Sequence, residues 1–76
     1  MPRSEYRDTS DRISSMMYEA KLRQGIKDKE LGARIDLAPG TLKNMRYQKT
    51  TCNISFWRVM LIAQMAGYEI KFERRT

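Results

Sequence analysis

Gly40, Lys43, Asn44 and Tyr47 recur at the i, i+3, i+4, i+7 spacing that lines up residues on one side of a helix. The chemistry this stripe offers is hydrogen bonding to flat, polar edges. A lysine can donate to O6 and N7 of a guanine, an asparagine can bridge N6 and N7 of an adenine, and a glycine lets backbone approach closely. Thr41 and Tyr47 add hydroxyls, while Leu42 and Met45 fall on the other side, where a core would take them. Arg46, Lys49, Thr50 and Thr51 follow, with Lys27 upstream, all residue types that hold phosphate without reading a base. Ala38 stands in the cap position ahead of Pro39 and cannot accept a hydrogen bond from the first N–H groups. Those groups, around Pro39, Gly40 and Thr41 at the positive end of the helix, are open to a phosphate or to water. A plain solvated helix face also carries lysine and asparagine, so the stripe alone leaves that alternative open.

Covalent and metal chemistry have little to work with. The chain of 76 residues has no histidine and one cysteine, Cys52, so it lacks a Cys/His or Ser/His pair, an intrachain disulfide and a zinc ligand set. No glycine-rich phosphate loop occurs, and none of the nine carboxylates sits in an apolar segment that would tune it for acid or base work. The expectation is a binding protein with no enzymatic activity, no cofactor and no metal. The net charge of +6 is unevenly placed: Leu37 to Tyr68 holds Lys43, Arg46, Lys49 and Arg58 with no acid at all, which suits a polyanion. The longest apolar run, Val59 to Ala63, is far too short to span a bilayer, and "MPRSEYRDTS" offers no hydrophobic export segment, so the expected location is cytoplasmic.

The elements that must position the stripe can be read from spacing and caps. Residues 1–10 lack periodicity and read as a flexible arm; Thr9 or Ser10 then caps a helix from near Asp11, with Ile13, Met16, Met17 and Ala20 on its buried face and Gly25 ending it. A second helix runs from about Asp28 to Ile35, with Leu31 and Ile35 one turn apart. Asp36 tolerates the left-handed conformation a sharp turn needs, and Pro39 suits the first position of a third helix. Leu37 and Leu42 have the spacing of a hydrophobic staple. Ser55 caps a fourth, almost wholly apolar helix that Gly67 stops, with Ile54 and Val59 as its staple.

After Gly67 the period changes to two: Tyr68, Ile70 and Phe72 alternate with Glu69, Lys71 and Glu73, the pattern of a half-buried strand. A lone strand leaves both edges unpaired, so the same strand of a second copy is the expected partner. Centring the antiparallel pair on Ile70 sets Glu69 against Lys71 and Tyr68 against Phe72, pairs worth roughly 0.2–1 kcal/mol each. The alternative is a tail folded against its own helices. The expected fold is all-α, four to five short helices with a helix-turn-helix, plus one C-terminal β-strand at a dimer interface of Tyr68, Ile70 and Phe72. By segment, 1–10 is the arm, 11–67 the helical domain, and 68–76 the strand and basic tail.

"KDKELGARIDLAPGTLKNMRY", Lys27 to Tyr47, resembles the helix-turn-helix of the lambda-repressor-like family, the small DNA-binding domains of phage and bacterial repressors. Leu31, Ile35, Leu37, Leu42 and Met45 stand where that motif places core residues, and Gly32 where it has a small one. "RISSMMYEAKLRQGI" is similar to the family's first helix and "ISFWRVMLIAQMAGYEI" to its closing helix. The sequence departs at Asp36, in place of the usual turn glycine, and at Asp28, where relatives often carry a glutamine that touches the DNA backbone. An acid at Asp28 would repel phosphate, with Lys27 or Lys29 to compensate. Pro39 and Gly40 replace base-reading side chains, so readout falls on Lys43 and Asn44 with Thr41 and Tyr47, and fewer readers imply looser specificity or more dependence on DNA shape. The resemblance implies a homodimeric regulator of transcription, of repressor type, that binds a pseudo-palindromic site in double-stranded DNA on the nucleoid. The competing expectation is a protein-interaction module, an antitoxin or adaptor that keeps this scaffold and binds a protein partner through the fourth helix and strand.

Overall fold

The computed structural model describes residues 3–74 of the chain. In order, they form α1 (Arg3–Gln24), α2 (Asp28–Ile35), α3 (Pro39–Gln48), one turn of 3-10 helix (Thr51–Asn53) and α4 (Phe56–Met65). The all-α class is as expected. The C-terminal strand is not: no strand occurs among the described residues, and Tyr68 to Phe72 run without regular structure.

The expected arm is also corrected, because α1 begins at Arg3 and takes in residues 3–10; the remainder of the arm, 1–2, and the end of the tail, 75–76, lie outside the described residues. Nothing from Ser4 to Ser10 breaks a helix, and Glu5 in the first turn complements the positive end of the helix dipole. Ser10 is therefore not a cap but a fully buried residue in mid-helix. Its hydroxyl accepts from the Cys52 N–H at 3.2 Å, and its carbonyl accepts from the Thr51 hydroxyl, which also meets Ser14 Oγ at 3.2 Å. This polar seam fastens the 3-10 turn to α1.

All four helices end in the same way, on a residue with positive φ: Gly25 (64°), Asp36 (58°), Lys49 (58°) and Gly67 (89°). Each reversal returns the chain to the helix it leaves. The N–H of Ile26 reaches the Lys21 carbonyl (3.0 Å), Leu37 reaches Gly32 (2.9 Å), Thr50 reaches Met45 (2.9 Å) and Tyr68 reaches Ala63 (2.8 Å), the six-to-one bond of a Schellman turn. Two of the four positions are not glycine, and these are the two that bound the α2-to-α3 turn and the far end of α3. The α2 reversal also dictates Gly32, because a Cβ there would run into the Leu37 carbonyl oxygen.

The core collects Ile13, Met17 and Ala20 from α1, Leu31 and Ile35 from α2, Leu42 from α3, and Ile54, Ile62 and Ala66 from the α4 region. Met17, Leu31, Ile35, Leu42 and Ile62 are fully buried, each contributing about 1.5–3 kcal/mol of transfer free energy. α4 packs chiefly along α1. Its guanidinium at Arg58 donates to the Ile35 carbonyl (Nε, 2.8 Å) and the Asp36 carbonyl (3.2 Å), so a cation closes the C-terminus of α2. Ser55 holds the N-cap position of α4 as expected, although its hydroxyl accepts from Arg58 at 3.0 Å and not from the helix backbone.

The tail folds against its own helices. Phe72 meets Phe56 with ring centroids 5.7 Å apart and planes tilted 48°. Ile70 is half-buried in a shallow depression with Met60 and Gln64, and the Glu19 carboxylate raises the pKa of the Tyr68 phenol, first through a hydrogen bond and then through its charge. No helix among the described residues is long and apolar enough to cross a membrane.

Candidate nucleic-acid interface

α3 turns one side to the core and the other to solvent, in the phase the spacing predicts. Leu42 is fully buried and Met45 half-buried, while Pro39, Gly40, Thr41, Lys43, Asn44 and Tyr47 are all exposed, Tyr47 at 88%. Nothing lies within 4 Å of where a Gly40 Cβ would stand. The fold itself therefore does not require a glycine there. At the start of α3, Ala38 has the extended backbone of a cap (φ −64°, ψ 141°) but makes no side-chain cap bond.

The cations around this stripe divide into bound and open ones. Arg46 is half-buried, and its guanidinium is held by the Asp28 carboxylate, which Lys21 approaches from α1 at 3.0 Å. Burial pushes the Asp28 pKa up, but hydrogen bonds and charges from Lys21 and Arg46 outweigh it and hold the carboxyl below its ordinary value. The acid expected to repel phosphate is thus neutralised inside the fold, and one of the expected phosphate ligands is occupied. Arg58 is engaged at the end of α2, so in the acid-free stretch only Lys43 and Lys49 have no carboxylate or carbonyl partner among the described residues.

Lys27 keeps an exposed side chain at the N-cap of α2, and its N–H donates to Glu30 Oε2 at 2.8 Å, a bond that lowers the Glu30 pKa. Thr50 is half-buried, its hydroxyl at 3.5 Å from the Met45 carbonyl. The assignment of Thr51 to phosphate is corrected: it is fully buried in the seam with Ser10 and Ser14 and presents nothing to solvent. The three aromatic and aliphatic residues expected at a dimer interface, Tyr68, Ile70 and Phe72, lie together on the α4 side of the molecule, Phe72 77% exposed and Tyr68 49%.

Two residues that the sequence reading passed over join the site. Because α1 extends to Arg3, its first turns reach the far end of α3, where Tyr6 and Arg7 line an open cleft with Gln48 and Lys49. The signal was the spacing of Ser10 and Ser14, which marks the face that docks on Thr51; continuing that face back by one turn gives Tyr6 and Arg7. The hydroxyl of Tyr6 is raised in pKa by its hydrogen bond with the Cys52 thiol. Among the described residues no group of three or more Cys, Asp or Glu is placed to hold a metal ion.

No family model matches the chain, and no curated protein or solved structure matches it either.

Proposed function

We propose that the protein is a sequence-specific, double-stranded DNA-binding regulator of transcription of lambda-repressor-like type, with α3 as the helix that enters the major groove. The observation that carries this reading is the open side of α3: Gly40, Lys43, Asn44 and Tyr47 are exposed together on a helix whose other side is anchored by Leu42 and whose angle to α2 is fixed at Asp36. Lys43 and Asn44, with Thr41 and Tyr47, read base edges, and Pro39 and Gly40 let the helix end approach the backbone. Lys27, Lys49 and Thr50 hold phosphates, with Arg7 added from α1. Selection of bound sequences from a random duplex library tests the reading, together with Lys43→Ala and Asn44→Ala. Enrichment of a common site that both variants lose supports it, whereas no enrichment removes it.

The protein acts as a homodimer on a pseudo-palindrome, its copies meeting through the surface of α4 and the tail. Phe56 (53% exposed) and Phe72 are in contact there and Tyr68 lies beside Met60 and Ile70, with Trp57 (47%) also exposed on α4, apolar area that a second copy would cover. Such a dimer places two α3 helices in successive major grooves about 34 Å apart. The same exposed aromatic residues favour the second reading, a protein-interaction module in which a protein partner occupies that surface. Sedimentation separates the two: a dimer whose dissociation constant rises on Trp57→Ala or Phe72→Ala supports self-association, and a monomer at all concentrations leaves the surface to another protein.

A further inference from the structure

Asp28 is the only carboxylate among the described residues within ion-pair distance of two cations, and these come from two different helices, Lys21 of α1 and Arg46 of α3. Lys21 and Arg46 are both less than a quarter exposed in this arrangement, at 20% and 22% of their side-chain surface. The carboxylate sits at the first position of α2, where a phosphate anion would otherwise find a positive helix end and two cations. It therefore occupies, from within the chain, the place that the negative charge of a nucleic-acid backbone would take.

We infer that Asp28 is a specificity-determining residue: by holding Arg46 and Lys21, it withholds them from DNA phosphate and leaves binding dependent on the open side of α3. The inference rests on the DNA-binding reading above. Backbone contacts supply affinity for any sequence, so each cation kept off the backbone lowers non-specific binding while leaving base readout untouched. Asp28 thus acts through Arg46 and Lys21, without itself touching DNA.

The test measures the affinity of the full chain for a random-sequence duplex across a salt series, for wild type, Asp28→Asn, Arg46→Gln and the double variant. Asp28→Asn is expected to bind the random duplex more tightly and to steepen the salt slope by about two for each released cation that reaches phosphate in both copies, so that through Arg46 alone its affinity falls about 12-fold further than wild type between 50 and 200 mM salt. Arg46→Gln alone is expected to leave the slope unchanged, and in the double variant it is expected to cancel the share of the gain that Arg46 supplies, leaving that of Lys21. An unchanged slope in Asp28→Asn overturns the inference, and so does a slope lowered by about two in Arg46→Gln, which would put Arg46 of each copy on phosphate already; the latter measurement decides the matter even if Asp28→Asn fails to fold. No duplex binding by wild type is a different result, and removes the DNA-binding reading itself.

Discussion

The Arg58 guanidinium donates from Nε to the carbonyl oxygen of Ile35 at 2.8 Å, which makes the last turn of α2 depend on a side chain from α4. A second bond from the same guanidinium reaches the Asp36 carbonyl at 3.2 Å, so the left-handed residue that sets the angle of α3 is gripped from outside its own motif. The ring of Trp57 lies 4.4 Å from the same cation and shields it on one face.

Arg58→Ala is expected to destabilise the protein by about 1–3 kcal/mol, since charge-assisted hydrogen bonds to otherwise unpartnered carbonyls are lost. Arg58→Lys should recover only part of this, because one ammonium cannot reproduce a fork that reaches both Ile35 and Asp36. Urea unfolding of the two variants against wild type checks both expectations. Equal stability of all three would mean that water satisfies the α2 end as well as Arg58 does.

At the other end of α3, Lys49 holds a left-handed backbone that a β-carbon resists. Lys49→Gly is expected to raise stability by about 0.5–1 kcal/mol, the relief of strain exceeding the entropy a glycine adds to the unfolded chain. It should also weaken duplex binding and lower the salt slope by about two, because an open cation is lost from each copy. Stability and binding moving in opposite directions is the signature; a matched rise or fall in both would detach Lys49 from phosphate. The contrasting substitution is Gly32→Ala, where the new methyl meets the Leu37 carbonyl and a loss of about 2 kcal/mol is expected.

Acid sensitivity should trace to Asp28. Its folded-state pKa lies below its unfolded value, so the stabilisation is complete above about pH 4 and is lost as pH falls through the folded value. Thermal melts of wild type between about pH 6 and pH 3 should therefore show a falling midpoint, and Asp28→Asn should flatten the lower part of that curve. A parallel fall in the variant would assign the acid response to other carboxylates, such as Glu30 at the start of α2, whose pKa is also lowered.

How far the sequence could be read follows from the range of each interaction. The turn at Asp36, the start of α3 at Pro39 and the stop at Gly67 were legible because caps and staples act over a few residues. The first turns of α1 were not, since what docks them is polar and distant: Ser10 meets Thr51 and Cys52 across 41 and 42 positions, and no apolar stripe announces it. The same distance hid the state of Arg46, a free cation in the sequence and an ion-paired one in the fold, its partner Asp28 being 18 positions away. The tail misled for another reason. Alternation at Tyr68, Ile70 and Phe72 is real, but a ladder needs a second strand, and within one chain the apolar side of the tail finds Phe56 and Met60 instead.

Thr51 supplies the sharpest contrast between a surface role and a structural one. Thr51→Val keeps the shape and removes the hydroxyl, leaving the Ser10 carbonyl with only its bond inside α1 and Ser14 without its Thr51 partner. Loss of these side-chain bonds costs about 0.5–1.5 kcal/mol, and the loss should fall on the attachment of the 3-10 turn to α1. Hydrogen exchange is expected to accelerate first at the Cys52 amide, which donates to Ser10 Oγ, before the α2 and α3 amides respond. The duplex salt slope should stay at the wild-type value, which for roughly six phosphates held by two copies is about −5. A slope lowered by about two, one phosphate from each copy, would return Thr51 to the DNA surface and require the 3-10 turn to undock when DNA is bound.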